Sequence, residues 1–134
     1  SFSAKRNLKY IYLIAGGSIG TVLRFLTSSW ILEAYPGSKF PWGTFFINLS
    51  GSFIIGILAG INQSNEFSLN FRLFFFAGIL GGFTTYSGYA LETFHLIKAH
   101  NFALALTYIL ATTLLGILLA ATGFWLSTLL STGK

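Results

Sequence analysis

Arg24 lies inside an apolar run, Gly20-Thr21-Val22-Leu23-Arg24-Phe25. A charge within a membrane span is costly, so it marks either function or an anchor. Arg24 can serve as an electropositive entrance that draws anions, as a lipid-headgroup anchor, or as a cap on the C-terminus of a partner helix. Asn48 sits in a second apolar run. With Thr44 and Ser52 it is spaced by four, so the three make one polar stripe on a helix. The Asn48 amide can bridge two helices or turn its N–H groups toward a water-filled path.

The run Gly81-Gly82-Phe83-Thr84-Thr85 is a poor continuous helix, since glycine costs about 1 kcal/mol per interior position relative to alanine. A break over Gly81–Thr85 is expected. It would free backbone groups that a membrane tolerates only where protein or an ion satisfies them. Freed carbonyls at such breaks suit a cation such as Na⁺. Beyond the break, Tyr86, Tyr89 and Thr93 share one helical face, with Ser87 beside them. Aromatic rings are positive at their edges, so Tyr86 and Tyr89 can contact an anion without a full charge. Glu92 follows as a deep or near-interface carboxylate. Tyr108 and Thr112 form a hydroxyl pair four apart on the last apolar run. Neutral donors, one arginine, aromatic edges and no ring of acids suit a small, strongly hydrated anion. Several weak donors can replace its water and still release it.

These side chains need a membrane scaffold. Of 134 residues, 54% are hydrophobic and only 8% charged, whereas soluble domains carry about 25% charge. That excludes a disordered chain and argues against a soluble enzyme. Four apolar stretches, at about 8–32, 44–61, 72–98 and 102–130, predict four spanning helices in one transmembrane domain. The first is too long for a signal-peptide core and contains Arg24, so it is read as a retained span. The runs are continuous rather than alternating, which argues against a barrel. Breaks are expected at Tyr35-Pro36-Gly37-Ser38 and over the polar run 62–66. Small residues four apart (Gly16 and Gly20; Ser52, Gly56 and Gly60; Gly78 and Gly82) suit close helix packing in lipid. Four helices scarcely enclose a pore, so self-association is expected.

Eight Lys/Arg against three acids give +5. Lys5, Arg6 and Lys9 suit lipid headgroups, and no clustered basic face suggests nucleic acid. Five cations (Lys5, Arg6, Lys9, Arg72, Lys134) against two (Lys39, Lys98) weakly favour an inside N-terminus. There is no cysteine, hence no disulfide or thiolate site.

Three motifs together resemble a known family, the small fluoride channels called CrcB or Fluc. They are Gly16-Gly17, Gly20 and Arg24; Trp42-Gly43-Thr44 with Asn48; and Gly81-Gly82-Phe83-Thr84-Thr85-Tyr86-Ser87 with Glu92-Thr93. The likeness runs from about Leu8 to Leu130. It implies a passive channel, not an enzyme, that exports fluoride across a bacterial inner membrane. It also implies an antiparallel, dual-topology homodimer with two pores. By position, Asn48 would be the pore amide, and Tyr86 and Tyr89 would occupy aromatic positions where the family typically has Phe. Ser87 and Tyr108 would supply pore hydroxyls, and Glu92 a carboxylate near the polar track. Carbonyls of Gly81 and Thr84 would hold a structural Na⁺ at the dimer centre, with Arg24 at the aqueous entrance. Gly88 stands where the family commonly has a hydroxyl residue.

Two alternatives remain. A small four-span, proton-coupled multidrug or cation exporter needs a central carboxylate, and Glu92 is the available one. An assembly subunit would use its polar residues only to join helices.

Overall fold

The computed structural model describes residues 1–133, and they form an all-helical chain. Lys134, one of the five cations in the charge balance, lies outside the described residues. The order is α1 (Phe2–Ala34), α2 (Trp42–Ser64), α3 (Leu69–Arg72), a π-helical stretch (Leu73–Leu80), α4 (Gly81–Phe83), α5 (Tyr86–Lys98) and α6 (Phe102–Thr132). Among the described residues, α1, α2 and α6 are the helices long and apolar enough to cross a membrane unaided. The stretch between α2 and α6 is divided into pieces.

At about 1.5 Å per residue, α1 is about 50 Å long, against a hydrocarbon thickness of roughly 30 Å. It starts ahead of the first apolar run because Ser1 caps it, accepting from the Ala4 amide at 3.3 Å, and the Lys5–Lys9 segment sustains the helix. The turn after α1 holds Gly37 at a φ of +73°, a left-handed conformation that glycine adopts without penalty. The polar run 62–66, expected as a loop, starts inside α2, which continues to Ser64. Asn62 then ties the connection down by accepting from the Phe67 amide at 2.8 Å.

Close approach between helices depends on glycine. A Cβ on Gly56 would strike the Ala120 carbonyl, one on Gly60 the Ser127 hydroxyl, and one on Gly123 the Phe53 carbonyl. These three contacts fasten α2 to α6, the most closely packed pair. Likewise a Cβ on Gly16 would meet the Phe74 carbonyl, and one on Gly20 the Ile79 carbonyl. That seam joins α1 to the π-helical stretch. Small residues at these positions let backbones touch, which is how helices associate where lipid removes most of the hydrophobic drive.

The expected break is narrower than Gly81–Thr85. Gly81, Gly82 and Phe83 stay helical as α4. The chain leaves the helix at Thr84 (φ −80°, ψ 160°) and Thr85 (φ −149°, ψ 118°). β-Branched threonine suits extended backbone. Gly82 serves packing instead: an added Cβ there would lie 2.6 Å from the Gly17 carbonyl. The π-helical stretch just before has no periodic signature in its sequence. Its turns widen enough that the Gly81 amide reaches back to the Phe76 carbonyl, five residues away.

At one end of the molecule, Phe45 and Leu49 of α2, Leu96 of α5, and Ala105 and Tyr108 of α6 form a buried cluster. Phe40 covers it, with its ring edge-on to Phe45 and Tyr108 at 5.3 Å each. This cluster anchors the far end of α5 and fixes where Tyr108 and Glu92 point.

Candidate functional site

The two extended residues Thr84 and Thr85 expose backbone groups that no helix can satisfy. Neighbouring side chains take them up. Asn48 of α2 binds Thr85 through both ends of its amide. Nδ2 donates to the Thr85 carbonyl at 3.0 Å, and Oδ1 accepts from the Thr85 amide at 2.9 Å. In an unbroken helix the Thr85 amide would bond the Gly81 carbonyl four residues back. Asn48 replaces that acceptor and leaves the Gly81 oxygen without it. The Thr84 amide and hydroxyl both donate to the Leu80 carbonyl, each at 3.0 Å. The Thr85 hydroxyl then starts α5, accepting from the Gly88 amide at 3.0 Å, an ordinary threonine N-cap.

Arg24 reaches the same place from α1. Its Nη1 donates to the Thr84 carbonyl at 3.3 Å. Its side chain is half-buried and its hydrogen-bond partner is a backbone oxygen. Thus the entrance residue of the sequence analysis also serves the break.

One and a half turns into α5, Glu92 sits between two hydroxyls. Thr44 Oγ1 donates to its Oε1 at 2.6 Å, and the Tyr108 hydroxyl donates to its Oε2 at 2.8 Å. Both carboxyl oxygens are thereby engaged. Tyr108 is fully buried, so its hydroxyl is committed to Glu92 and is not free for a passing ion. Thr44, read in sequence as a member of the polar stripe and of the Trp42-Gly43-Thr44 motif, is the partner of Glu92 that was missed.

Apart from Tyr108, which is buried and lines neither, the expected site residues divide between two open clefts on either side of α5. One is lined by Asn48, Ser52, Thr84, Thr85, Tyr86, Tyr89 and Thr112. The other is lined by Arg24, Ser28, Thr44, Thr85, Ser87 and Glu92. Thr85 borders both. Tyr86 and Tyr89 stand in series along the first cleft, 5.9 Å apart, and Tyr89 meets the buried Tyr108 behind it edge-on at 5.1 Å and 62°. Tyr86 is 81% exposed, so one face of this cleft has no wall. Thr112 Oγ1 is buried against the cleft and has no hydrogen-bond partner among the described residues. Asn48 Nδ2 keeps one of its two N–H groups after bonding Thr85. Ser87 faces the second cleft, 3.4 Å from the Thr85 hydroxyl. The structure therefore does not gather all of the expected polar residues around one point.

Thr85 was expected only as the end of the break, because its bonds to Asn48 are made by its backbone, which no side-chain motif reveals. A Thr three residues before a glycine amide is a recognisable N-cap, and that signal was available at Thr85-Tyr86-Ser87-Gly88.

The family model described as "CrcB-like protein, Camphor Resistance (CrcB)" matches residues 11–124. The chain belongs to the CrcB family. Its curated relatives are named "Fluoride-specific ion channel FluC". The one from Parabacteroides distasonis is 41% identical over 111 residues, covering 83% of this chain and 86% of the relative. That of Helicobacter pylori strain J99 is 38% identical over 122 residues, covering 90% and 94%. That of Anaeromyxobacter dehalogenans is 44% identical over 114 residues, covering 84% and 89%. Membership of the CrcB family and three apolar helices of spanning length make this a multi-pass bacterial membrane protein.

Proposed function

We propose that this chain is a fluoride-selective passive ion channel that lets fluoride leave the cell, and that it works as an antiparallel, dual-topology homodimer with two pores. The observation that carries this is its alignment, nearly end to end, with relatives named fluoride-specific ion channels. The donors left over at the break support it. Asn48 retains an N–H, Thr112 has an unpartnered hydroxyl, and Tyr86 and Tyr89 line the same cleft. A small anion losing its water needs such neutral donors, and none should hold it too firmly. The missing wall at Tyr86 supports a second copy, which would close the cleft and bury the ring. We assign the ion path to Asn48, Tyr86, Tyr89 and Thr112. Ser87, Tyr108 and Glu92 form its polar flank, and Arg24 stands beside the aqueous mouth.

The Gly81 and Thr84 carbonyls are also proposed to hold a structural Na⁺ where two subunits meet. Their chemistry fits, since hard carbonyl oxygens suit Na⁺ and the Gly81 oxygen lacks its helical donor. Two oxygens from one chain are too few, so a second copy would complete the set. Bound there, Na⁺ would supply a fixed positive charge that satisfies the break.

Passive flow is sufficient for export. Neutral HF crosses lipid and dissociates inside, and a potential negative inside drives an anion out by about 2.3 kcal/mol per charge per 100 mV. The four-span exporter is disfavoured because both oxygens of Glu92 are already engaged by Thr44 and Tyr108. Planar-bilayer recording separates the two. For a channel, the reversal potential follows the fluoride gradient, ignores chloride, and does not move when a pH gradient is imposed. A reversal potential that tracks the pH gradient would support the exporter instead.

A further inference from the structure

We infer that Arg24 is the resident cation of the helix break, holding the Thr84 carbonyl and thereby weakening the binding of a metal cation to that same oxygen. This rests on the sodium assignment proposed for Gly81 and Thr84. Three observations carry it. The guanidinium donates to Thr84 O at 3.3 Å. That oxygen follows directly on the C-terminal end of the helical run 69–83, where carbonyls carry partial negative charge and attract cations. Asn48 bonds Thr85, and among the described residues Arg24 is the side chain that donates to Thr84 O.

A carbonyl has two lone pairs, so it can accept from the guanidinium and ligate an ion together. The two positive charges then stand close together. A unit charge about 5 Å away changes affinity by about fourfold at the dielectric of bulk water and by about two-hundred-fold at an effective dielectric of about 20, so an effect of about tenfold lies toward the solvated end of that range. Before an ion arrives, Arg24 keeps the carbonyl satisfied and the break in place, so a subunit can fold with the site still open. With an ion present, it keeps binding weaker than the carbonyls alone would give. Arg24 is a positioning residue here, acting through the backbone.

The test uses the purified full-length chain, freed of Na⁺ by exchange into N-methyl-D-glucamine. Its thermal unfolding midpoint is titrated with NaCl at constant ionic strength. Arg24→Gln keeps an N–H donor and removes the charge, and its half-saturating Na⁺ concentration is expected to fall about tenfold. Arg24→Lys keeps the charge on a side chain without the planar fork, and should fall between Gln and wild type. Equal or higher Na⁺ requirement in Arg24→Gln would overturn the inference. If that variant does not fold, Arg24→Met, neutral and of similar length, takes its place, and an equal or higher Na⁺ requirement there overturns the inference equally. A sodium response that is present but indifferent to Arg24 defeats this inference alone. No sodium response in wild type defeats the sodium assignment and this inference with it.

Discussion

The α2–α6 seam and the Thr84–Thr85 break use the same kinds of residue, glycine with Ser and Thr, to opposite ends. Along the seam the helices are continuous and each backbone satisfies itself. The hydroxyls turn back onto their own helix, as Ser127 does to Phe124 at 2.9 Å and Ser131 to Ser127 at 2.8 Å. Glycine there serves only close approach. At the break the backbone is interrupted, and side chains from two other helices, Arg24 and Asn48, supply what it lacks. A seam that satisfies itself is scaffold. A break completed from outside leaves single donors unspent, and those can serve a ligand.

The largest expected effect lies in the seam. Gly56→Val would drive a side chain into the Ala120 carbonyl. Overpacking costs about 1–3 kcal/mol where neighbours can yield, and a backbone carbonyl yields little. We expect no folded species by size-exclusion chromatography, and a folded, conducting variant would show that the seam is not rigid. Asn48→Asp comes next. It keeps an acceptor for the Thr85 amide but sets a carboxylate against the Thr85 carbonyl and removes the spare N–H. The protein should fold while fluoride efflux drops by about tenfold or more, the consequence of losing a bond worth about 1.5 kcal/mol. Undiminished efflux would remove Asn48 from the path.

Tyr86→Ile should have a smaller effect, a several-fold loss of efflux with each subunit still folded, because an 81% exposed ring packs little within one subunit. Unchanged efflux would mean that the ring edge does not serve the ion. The smallest effect belongs to Thr122→Ala on the exposed face of α6. Its hydroxyl bonds only its own helix, so stability should move by less than about 0.5 kcal/mol and efflux not at all. A loss of efflux there would blur the distinction between seam and break.

Much of this was legible in sequence. Continuous apolar runs gave the helices, and spacings of four gave the glycine contacts at Gly16, Gly20, Gly56 and Gly60. The break was legible too, as Gly81–Thr85, but two of its residues were included for the wrong reason. Gly81-Gly82 looked like the weak point, whereas tertiary contact with Gly17 explains Gly82 and the threonines carry the extended backbone. The π-helical stretch was not legible, because Leu73–Leu80 is apolar on every side and no period distinguishes its wider turns. Arg24 and Glu92 were found by type, since charge in a span is rare. Their partners were not, because Thr84 O and Thr44 Oγ1 are far away in sequence and meet only through helix packing. The division of the site between two clefts needed coordinates, as it depends on how α5 turns after Thr85.

The central claim is that this chain conducts fluoride passively. Its most direct test is fluoride efflux from liposomes containing the purified protein, followed with a fluoride electrode. Valinomycin and K⁺ balance the charge, and no pH gradient is imposed. We expect rapid release when valinomycin is added and almost none from empty liposomes. Release no faster than from empty liposomes would contradict the account.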